Sequence, residues 1–314
     1  MKTGALIVPT GIGASIGGFA GDASIWARKL AKHCRLIVNP NVVNAACFSG
    51  ITDNMLYVEG YSLDEFFKGK CKLQPSCENK VGVIFDKAIK QEVLNVHINT
   101  INAVKTVYGI DICGYEITQE DTGVEFFVDN SGVSMGNVKN LETIKDAASK
   151  LIQKGAEAIA IVCRFPDEQG DDYANGVGVD PVGGVEAIIS HYISKELKIP
   201  CAHAPAFDDI TISTDIVDSR CSAEYITPTF LPCILIGLSQ APKLSQTEGI
   251  GIDDTDFLVV PYNALGGIPV LEMIKRNKTV YAIKENKSVL DVTPDKLGIN
   301  CIVLESYQEL IEQI

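Results

Sequence analysis

Two chemically reactive side chains lie close together in the segment KIPCAH, where Cys201 and His203 are two residues apart. In a β-strand, residues two apart point to the same side, so a thiol and an imidazole could be presented together. A histidine can act as a general acid–base, and a thiol beside an imidazole can ionise and attack carbon. Buried structural roles are the alternative for both. His203 is the stronger catalytic candidate, because nothing in the sequence shows that Cys201 is nucleophilic.

Arg164 and Asp167 directly follow another apolar run, AIAIVC, at 158–163. The planar guanidinium group of arginine binds a carboxylate or phosphate through two hydrogen bonds. Arg164 is therefore a candidate for holding an anionic group of a substrate. A structural ion pair between Arg164 and Asp167 or Asp172 is an equally good interpretation.

Asp180 precedes Pro181, a pair that is typical of a helix start with aspartate as the N-cap. Capping explains Asp180 without any chemistry. The functional alternative is that Asp180 or Asp167 orients the imidazole of His203. Gly178 lies in the glycine-rich loop before this helix, and we expect that loop to contribute to substrate binding as a lid.

A glycine-rich loop from Thr10 to Asp22 connects the first predicted strand to a helix. Glycines let the backbone approach a ligand, and free N–H groups at a helix N-terminus favour an anion. The loop matches neither the Walker A motif nor the dinucleotide fingerprint, whose ribose-binding acid is replaced by Asn39. A tight strand–helix connection is the structural alternative. The predicted substrate contacts in this loop are Thr10, Gly11, Gly13, Ser15, Gly17 and Gly18.

Other polar residues follow predicted strands, where open α/β sheets bind their ligands. Turn and helix-cap chemistry is the alternative interpretation for these positions. The further predicted substrate contacts are Asn39, Asn41, Asn263, Gly266 and Glu285.

The acidic composition restricts the partners of this protein. Its 314 residues carry a net charge of −13, which repels phosphate backbones and argues against nucleic acid as a partner. The sequence has no basic stripe for a membrane surface, and no apolar run approaches the roughly 20 residues that span a bilayer. We expect a small anionic metabolite as the ligand and a homo-oligomeric protein.

The N-terminus and the cysteines indicate a cytoplasmic protein. The first apolar run ends at Pro9, which is too short for the apolar region of a signal peptide. The ten cysteines, Cys77 among them, show no C-x-x-C spacing, so we expect reduced thiols rather than a zinc site. We predict no cofactor. A divalent metal bound by His191, His203 and the acids around 167–180 is a minor alternative.

Strand-like and helical runs alternate along the chain, which predicts an α/β fold. We expect Rossmann-like, largely parallel sheets with helices on both faces. The segments 112–118 and 123–129 flank a turn and could form an antiparallel hairpin. A turn-rich segment suggests two lobes, residues 1–132 and 133–314, with the site between them.

Several long segments resemble those of one uncharacterised family of bacterial and plastid-associated proteins, the domain of unknown function DUF3326. The resemblance covers nearly the whole chain and implies an α/β protein, without an established activity. The segments that carry it are PTGIGASIGGFAGDA, NPNVVNAA, LYVEGYSLDEF, RFPD, GVGVDPVGGVEAIISH, KIPCAHAPA, TFLPCILIGLSQAP and KENKSVLDVTPDKLGI.

Together these patterns favour an enzyme that uses acid–base chemistry without a redox cofactor. The predicted reaction class is a lyase or isomerase acting on a carboxylate- or phosphate-bearing metabolite, with His203 moving the proton. One alternative is a hydrolase with Cys201 as the nucleophile. The other is a non-catalytic protein that binds a small ligand or regulates a partner.

Overall fold

The structure is a computed structural model that describes residues 1–76, 78–167 and 172–314. Cys77 and the side chain of Asp172, both named above, lie outside the described residues. The strands are β1 (Thr3–Leu6), β2 (Arg35–Val38), β3 (Asn44–Ala45), β4 (Phe48–Ser49), β5 (Met55–Tyr57), β6 (Lys72–Gln74), β7 (Val81–Phe85), β8 (Ile112–Ile117), β9 (Val124–Val128), β10 (Ser134–Val138), β11 (Ala158–Arg164), β12 (Cys201–Ala206), β13 (Lys243–Ser245), β14 (Phe257–Pro261), β15 (Thr279–Ile283) and β16 (Ile302–Leu304).

Helices connect most of these strands, and two short 3₁₀ turns occur at Asp172–Asn175 and Ile252–Asp254. The α-helices are α1 (Ser24–Leu30), α2 (Pro40–Val43), α3 (Gly60–Phe67), α4 (Gln91–Tyr108), α5 (Leu141–Gln153), α6 (Gly183–Leu197), α7 (Ser222–Tyr225), α8 (Leu231–Ser239), α9 (Ile268–Lys275), α10 (Pro294–Leu297) and α11 (Tyr307–Gln313). None of the helices in the described part of the chain is both long enough and apolar enough to cross a bilayer.

A six-stranded parallel sheet has the order β16-β15-β14-β1-β2-β5. The inner strands of this sheet are buried on both faces, because neighbouring residues of a strand pack against different helices, whereas Ile302 and Val303 of the edge strand β16 are exposed. Leu6 belongs to one apolar cluster with Leu30 of α1, whereas Ala5 belongs to another with Phe66 of α3. The predicted α/β class with parallel sheets is therefore confirmed.

A second, four-stranded parallel sheet has the order β12-β11-β7-β8. The predicted hairpin of 112–118 with 123–129 is wrong. Strand β8 pairs in parallel with β7, and helix α4 makes the crossover between them, whereas β9 pairs antiparallel with β10. The turn after β8 suggested that β8 pairs with the next strand. The crossover through α4 instead places β8 parallel to β7.

The two sheets share the apolar helix α8. Its side chains belong to the same buried cluster as Val38 of the six-stranded sheet and Val83 of the four-stranded sheet. Each sheet contains strands from both sides of the predicted lobe boundary at 132/133. That boundary therefore does not separate the two sheets.

Candidate functional site

A cavity of about 700 Å³ lies between the carboxyl ends of β1 and β2 and the strand β12 of the other sheet. Helix α6 forms one wall of this cavity and α8 contributes to another. Residues from the glycine-rich loop and from the KIPCAH segment thus reach a common space. The predicted site residues that line it are Thr10, Gly18, Asn39, Asn41, Asp167, Asp180 and His203.

His203 contacts two side chains of helix α6. Its Nδ1 atom lies 3.0 Å from the Oγ atom of Ser190, and its Nε2 atom lies 3.7 Å from Oε2 of Glu186. The Ser190 hydroxyl has the main-chain carbonyls of Glu186 and Ala187 as acceptors. We therefore assign the proton to Nδ1, which donates to Ser190, and the lone pair to Nε2, which faces Glu186.

Burial, reinforced by the neighbouring His191, lowers the pKa of His203 to about 3. Burial also lowers the pKa of His191, which lines the same cavity. Both imidazoles are therefore neutral at physiological pH. A neutral imidazole is the form that can accept a proton from a bound molecule.

Cys201 lies in the first position of β12, is fully buried in the apolar cluster of the four-stranded sheet, and does not line the cavity. Burial raises the pKa of its thiol well above the ordinary value. A thiolate is the reactive form of cysteine, so this position disfavours nucleophilic chemistry. Of Cys201 and His203, only His203 lines the cavity.

Arg164 forms a structural ion pair and does not line the cavity. Its Nε and Nη2 atoms donate to the two carboxylate oxygens of Asp208 at 3.1 and 2.8 Å. The hydrogen bond from Arg164 lowers the pKa of Asp208 to about 2. The partner is therefore Asp208 rather than Asp167, and the guanidinium fork is already engaged by a carboxylate of the protein itself.

The glycine-rich loop is closed by Asp22 rather than open to an anion. The Oδ1 atom of Asp22 accepts from the amides of Gly17 and Phe19 at 2.8 and 3.2 Å. Asp22 does not cap helix α1, whose N-cap is Ala23. Gly11, Gly13 and Gly17 have positive φ angles but do not line the cavity, so they shape the turn around Thr10 and Gly18.

Ser15 and Glu285 join the loop to the segment after β15, away from the cavity. The Ser15 hydroxyl donates to the main-chain carbonyl of Glu285 at 3.0 Å. The Glu285 carboxylate accepts from the amide of Tyr307 at 2.5 Å. These contacts are structural, and neither residue lines the cavity.

Asn263, Gly266 and Gly178 also do not line the cavity. The side-chain amide of Asn263 donates to the carbonyls of Ser288 and Leu290, which fixes the turn of backbone at 288–290. Gly266 lies beside Val292. Gly178 has a positive φ angle of 96° in the loop before α6.

Asn39 and Asn41 line the cavity with side chains that are held by the backbone after β1. The side-chain oxygen of Asn39 accepts a hydrogen bond from the main-chain amide of Val8 at 3.1 Å. Its side-chain nitrogen donates to the main-chain carbonyl of Val8 at 2.8 Å. The Asn41 amide donates to the carbonyls of Val8 and Gly17. These asparagines therefore anchor the glycine-rich loop to the end of β2.

Asp167 and Asp180 line the cavity with carboxyl groups that cap local turns. The Oδ1 atom of Asp167 accepts from the amides of Asp208 and Asp209, and that of Asp180 accepts from the Val182 amide. Burial raises the pKa of Asp180. Helix α6 begins at Gly183, so the helix start predicted at Asp180-Pro181 is too early by a few residues.

The predicted catalytic and substrate-binding residues did not include Glu59, Glu186, Ser190 or His191, which line the cavity, and His191 was considered only as a metal ligand. Glu186 and Ser190 are four residues apart on α6, a spacing that places them on one helix face and that could have revealed them. His191 lies outside that face, but its ring packs near Gly60 of α3. The cavity is therefore lined by residues from more than one face of α6.

Glu59 is a buried carboxyl group in the wall of the cavity, and it caps helix α3. Its oxygens accept from the amides of Tyr61 and Ser62, both at 2.9 Å. Burial raises its pKa to about 7. A carboxyl group that titrates near neutrality inside a cavity is a common feature of catalytic sites.

Carboxyl groups dominate the charge of the cavity. The acidic residues in its lining are Glu59, Asp167, Asp180, Glu186, Asp209 and Glu224. Among the described residues of the lining there is no lysine or arginine. Within that described part of the chain, His, Cys, Asp and Glu side chains also form no group that could hold a metal ion.

Comparison with known proteins gives one similar relative. Over 319 residues, the chain is 40% identical to an uncharacterised lipoprotein of Synechococcus sp., with 98% of this chain and 89% of that protein covered. The expectation of a cytoplasmic protein is contradicted by this relative, because the name lipoprotein points to membrane attachment.

No solved structure is significantly similar to the chain. The family model described as "Protein of unknown function (DUF3326)" matches residues 3–314. The resemblance predicted from the sequence segments is thereby confirmed, and the chain belongs to the DUF3326 family.

Proposed function

We propose that this protein is an enzyme that moves protons on a small polar metabolite bound in the cavity, as a lyase or isomerase does. The observation that supports this function best is the position of His203. It is a neutral imidazole in a cavity of about 700 Å³, with one nitrogen held by Ser190 and the other facing a carboxyl group.

His203 acts as the general base in this proposal, through its Nε2 atom. The Nδ1 proton is held by the Ser190 oxygen, which fixes the ring and its tautomer. Glu186 stands 3.7 Å from Nε2, too far for a direct hydrogen bond but close enough for both groups to contact one substrate.

Glu186 or Glu59 supplies the second acid–base group. A lyase or isomerase needs one group to remove a proton and another to return a proton at a different atom. Glu59 is suited to this exchange because its pKa of about 7 allows both protonation states near neutral pH. The two glutamates come from different elements, so they can reach different atoms of one ligand.

Two parts of the sequence interpretation have little support in the geometry. The described residues of the cavity lining include no lysine or arginine that could hold a carboxylate- or phosphate-bearing substrate, and Arg164 is paired with Asp208 outside the cavity. A hydrolase using Cys201 would need a thiol that reaches the cavity, and Cys201 does not. The proposed substrate is therefore polar without being anionic.

The test is solvent-deuterium incorporation into a metabolite mixture. An enzyme that removes a carbon-bound proton and returns one from solvent labels its substrate or product in ²H₂O. We expect the purified protein to place deuterium in one metabolite mass, detected by mass spectrometry. His203→Gln should lower the rate by at least about 100-fold, in the usual range for loss of a general base.

His33→Gln is the matched control, because His33 is an exposed histidine away from the cavity. It should label the same metabolite at the wild-type rate. A metabolite that co-purifies with the protein but never gains deuterium would instead favour the non-catalytic ligand-binding function. Equal rates for His203→Gln and the wild type would exclude His203 as the base.

A further inference from the structure

The charge of the cavity lining is one-sided. Carboxyl side chains come from Glu59 before α3, from the glutamates of α6 and α7, and from the aspartates that follow β11, precede α6 or follow β12. Lysine and arginine do not occur among the lining residues that the structure describes. Residues 168–171, which lie outside the described residues, include no lysine, arginine or histidine in the sequence either. An anionic ligand would therefore meet repulsion on several sides of this cavity.

The carboxyl groups of Glu59 and Asp180 are held by main-chain amides rather than by cationic side chains. Glu59 accepts from two amides of α3, and Asp180 accepts from the amide of Val182. Neither takes part in an ion pair within the described part of the chain. Burial disfavours the ionised form of both groups, as their raised pKa values indicate. A cation bound beside either carboxyl group would favour its ionised form.

Hydrogen-bond acceptors also outnumber donors in the lining. The side-chain amide donors of Asn39 and Asn41 are already used on the carbonyls of Val8 and Gly17. The neutral His203 has its N–H proton directed at Ser190. Carboxylate oxygens, by contrast, accept several hydrogen bonds each. A complementary ligand carries mainly donors, and ammonium and guanidinium groups are donor-only.

Aromatic rings in the lining fit the same ligand. Phe19 and Tyr173 both line the cavity, with ring centroids 4.9 Å apart. The guanidinium carbon of Arg220 lies 4.7 Å from the centroid of the Phe19 ring, so this ring already accepts one cation–π contact. Arg220 is itself paired with Asp218 at 3.0 Å and does not line the cavity. Rings of this kind attract organic cations.

We propose that the cavity binds a small organic cation, an ammonium or guanidinium compound, through the carboxylates of Asp180, Glu186 and Glu59. The role of this cation as a substrate rests on the proposed proton-transfer function. The binding of the cation does not depend on that function, because its charge and its hydrogen-bond donors match the cavity whether or not a reaction follows. A sugar-like neutral polyol is the competing ligand class, since it also uses carboxylate acceptors.

The test is isothermal titration calorimetry with probes of matched length and different charge. Putrescine and agmatine are the cations, 1,4-butanediol is the neutral analogue and succinate is the anion. At pH 8 we expect the tighter-binding cation to have a dissociation constant at least tenfold lower than butanediol, with no binding of succinate. Equal or tighter binding of butanediol or succinate would overturn the proposal.

Two variants assign the binding to the cavity. Asp180→Asn and Glu186→Gln each remove one negative charge while keeping the size of the side chain, and each should weaken the cation about tenfold. The control is Glu312→Gln, on the exposed surface of α11, which should bind as the wild type does. Cation binding that survives in both cavity variants, with near-UV circular dichroism unchanged, would exclude this site.

The two proposals fail in different ways. If neither cation binds, while His203→Gln still abolishes deuterium incorporation into a neutral metabolite, the cation proposal is wrong and proton transfer stands. If a cation binds and Asp180→Asn weakens it, while no metabolite gains deuterium, the cation site stands and the enzymatic function is wrong.

Discussion

The imidazole of His203 is held by the hydroxyl of Ser190, with 3.0 Å between Nδ1 and Oγ. The two residues come from different elements, because His203 lies on β12 and Ser190 on α6. This contact fixes the orientation of a neutral ring at the wall of the cavity. Ser190 is therefore a positioning residue for the proposed base.

Ser190→Ala should lower the rate of deuterium incorporation about fivefold to tenfold, because a neutral hydrogen bond contributes about 1 kcal/mol. The ¹⁵N chemical shifts of the His203 ring should also move from values typical of one tautomer toward values typical of a mixture of both tautomers. The control is Ser149→Ala, which removes another helix serine that bonds to the main chain one turn earlier. An unchanged His203 signal in Ser190→Ala would contradict the assigned contact.

Glu59 makes the folded protein less stable as the pH rises, whereas an acidic group with a lowered pKa has the opposite effect. Burial raises its folded-state pKa from 4.5 to about 7, so the folded protein binds the proton more tightly than the unfolded chain. The stabilisation is complete below pH 4.5 and is lost as the pH rises through 7. From the size of the shift, the effect is up to about 3 kcal/mol.

Glu59→Gln removes this titration while keeping an acceptor for the amides of α3. Relative to the wild type, the free energy of unfolding of the variant should rise between pH 4.5 and pH 7.5, measured by urea unfolding. Glu196→Gln, on the exposed surface of α6, should show no such trend. A difference between Glu59→Gln and the wild type that is constant with pH would mean that Glu59 does not titrate in this range.

Gly60 leaves room for the ring of His191. A Cβ atom at residue 60 would lie 2.1 Å from the His191 Nε2 atom, so Gly60→Ala must displace that ring. The ring is the far end of a side chain and can move, so we expect a change in stability below about 1 kcal/mol. Deuterium incorporation and the affinity for putrescine should each fall about tenfold.

Gly267→Ala is the matched control for Gly60→Ala. Gly267 also lies at the start of a helix, and a Cβ atom there would be 3.6 Å from the Pro269 ring, which is an ordinary contact. It should leave both readouts unchanged. A Gly60→Ala protein with wild-type affinity and rate would show that the position of His191 is unimportant for the site.

Asp22 holds the glycine-rich loop closed through the amides of Gly17 and Phe19. Asp22→Ala leaves these two amides without their acceptor, so the protein should lose about 2 kcal/mol of unfolding free energy. Asp129→Ala removes a carboxylate with the same bonding pattern from a more exposed turn, and should cost less. Equal losses in urea unfolding would mean that Asp22 has no special role in the loop.

Apolar runs in the sequence predicted individual strands and helices, because these elements form from residues that are close together in the chain. The apolar run at 158–163 and the first predicted strand form β11 and β1, because the length and composition of such runs are decisive within a few residues. The pairing of β8 was missed because it depends on a crossover through α4, which the turn signal after β8 does not reveal. Strand partners are properties of the whole fold.

The site was predictable where it follows the strand-end rule. Thr10 follows β1 and Asn39 follows β2, and both line the cavity. Arg164 is the last residue of β11, but its partner Asp208 lies 44 residues away, so the spacing of residues in the sequence could not reveal this ion pair. Glu59 was not predicted, because its place in the cavity depends on how α3, which it caps, packs in the fold.

The central position of β1, between β2 and β14, also affects how the chain is made. On the ribosome, β1 is translated before β12, and β14 is translated only after β12. During that interval one edge of β1 has no neighbour, and an uncovered apolar edge invites pairing with other chains. Nascent chains that stop before β14 should consequently be insoluble, and synthesis of the intact protein should depend on chaperones that shield this edge.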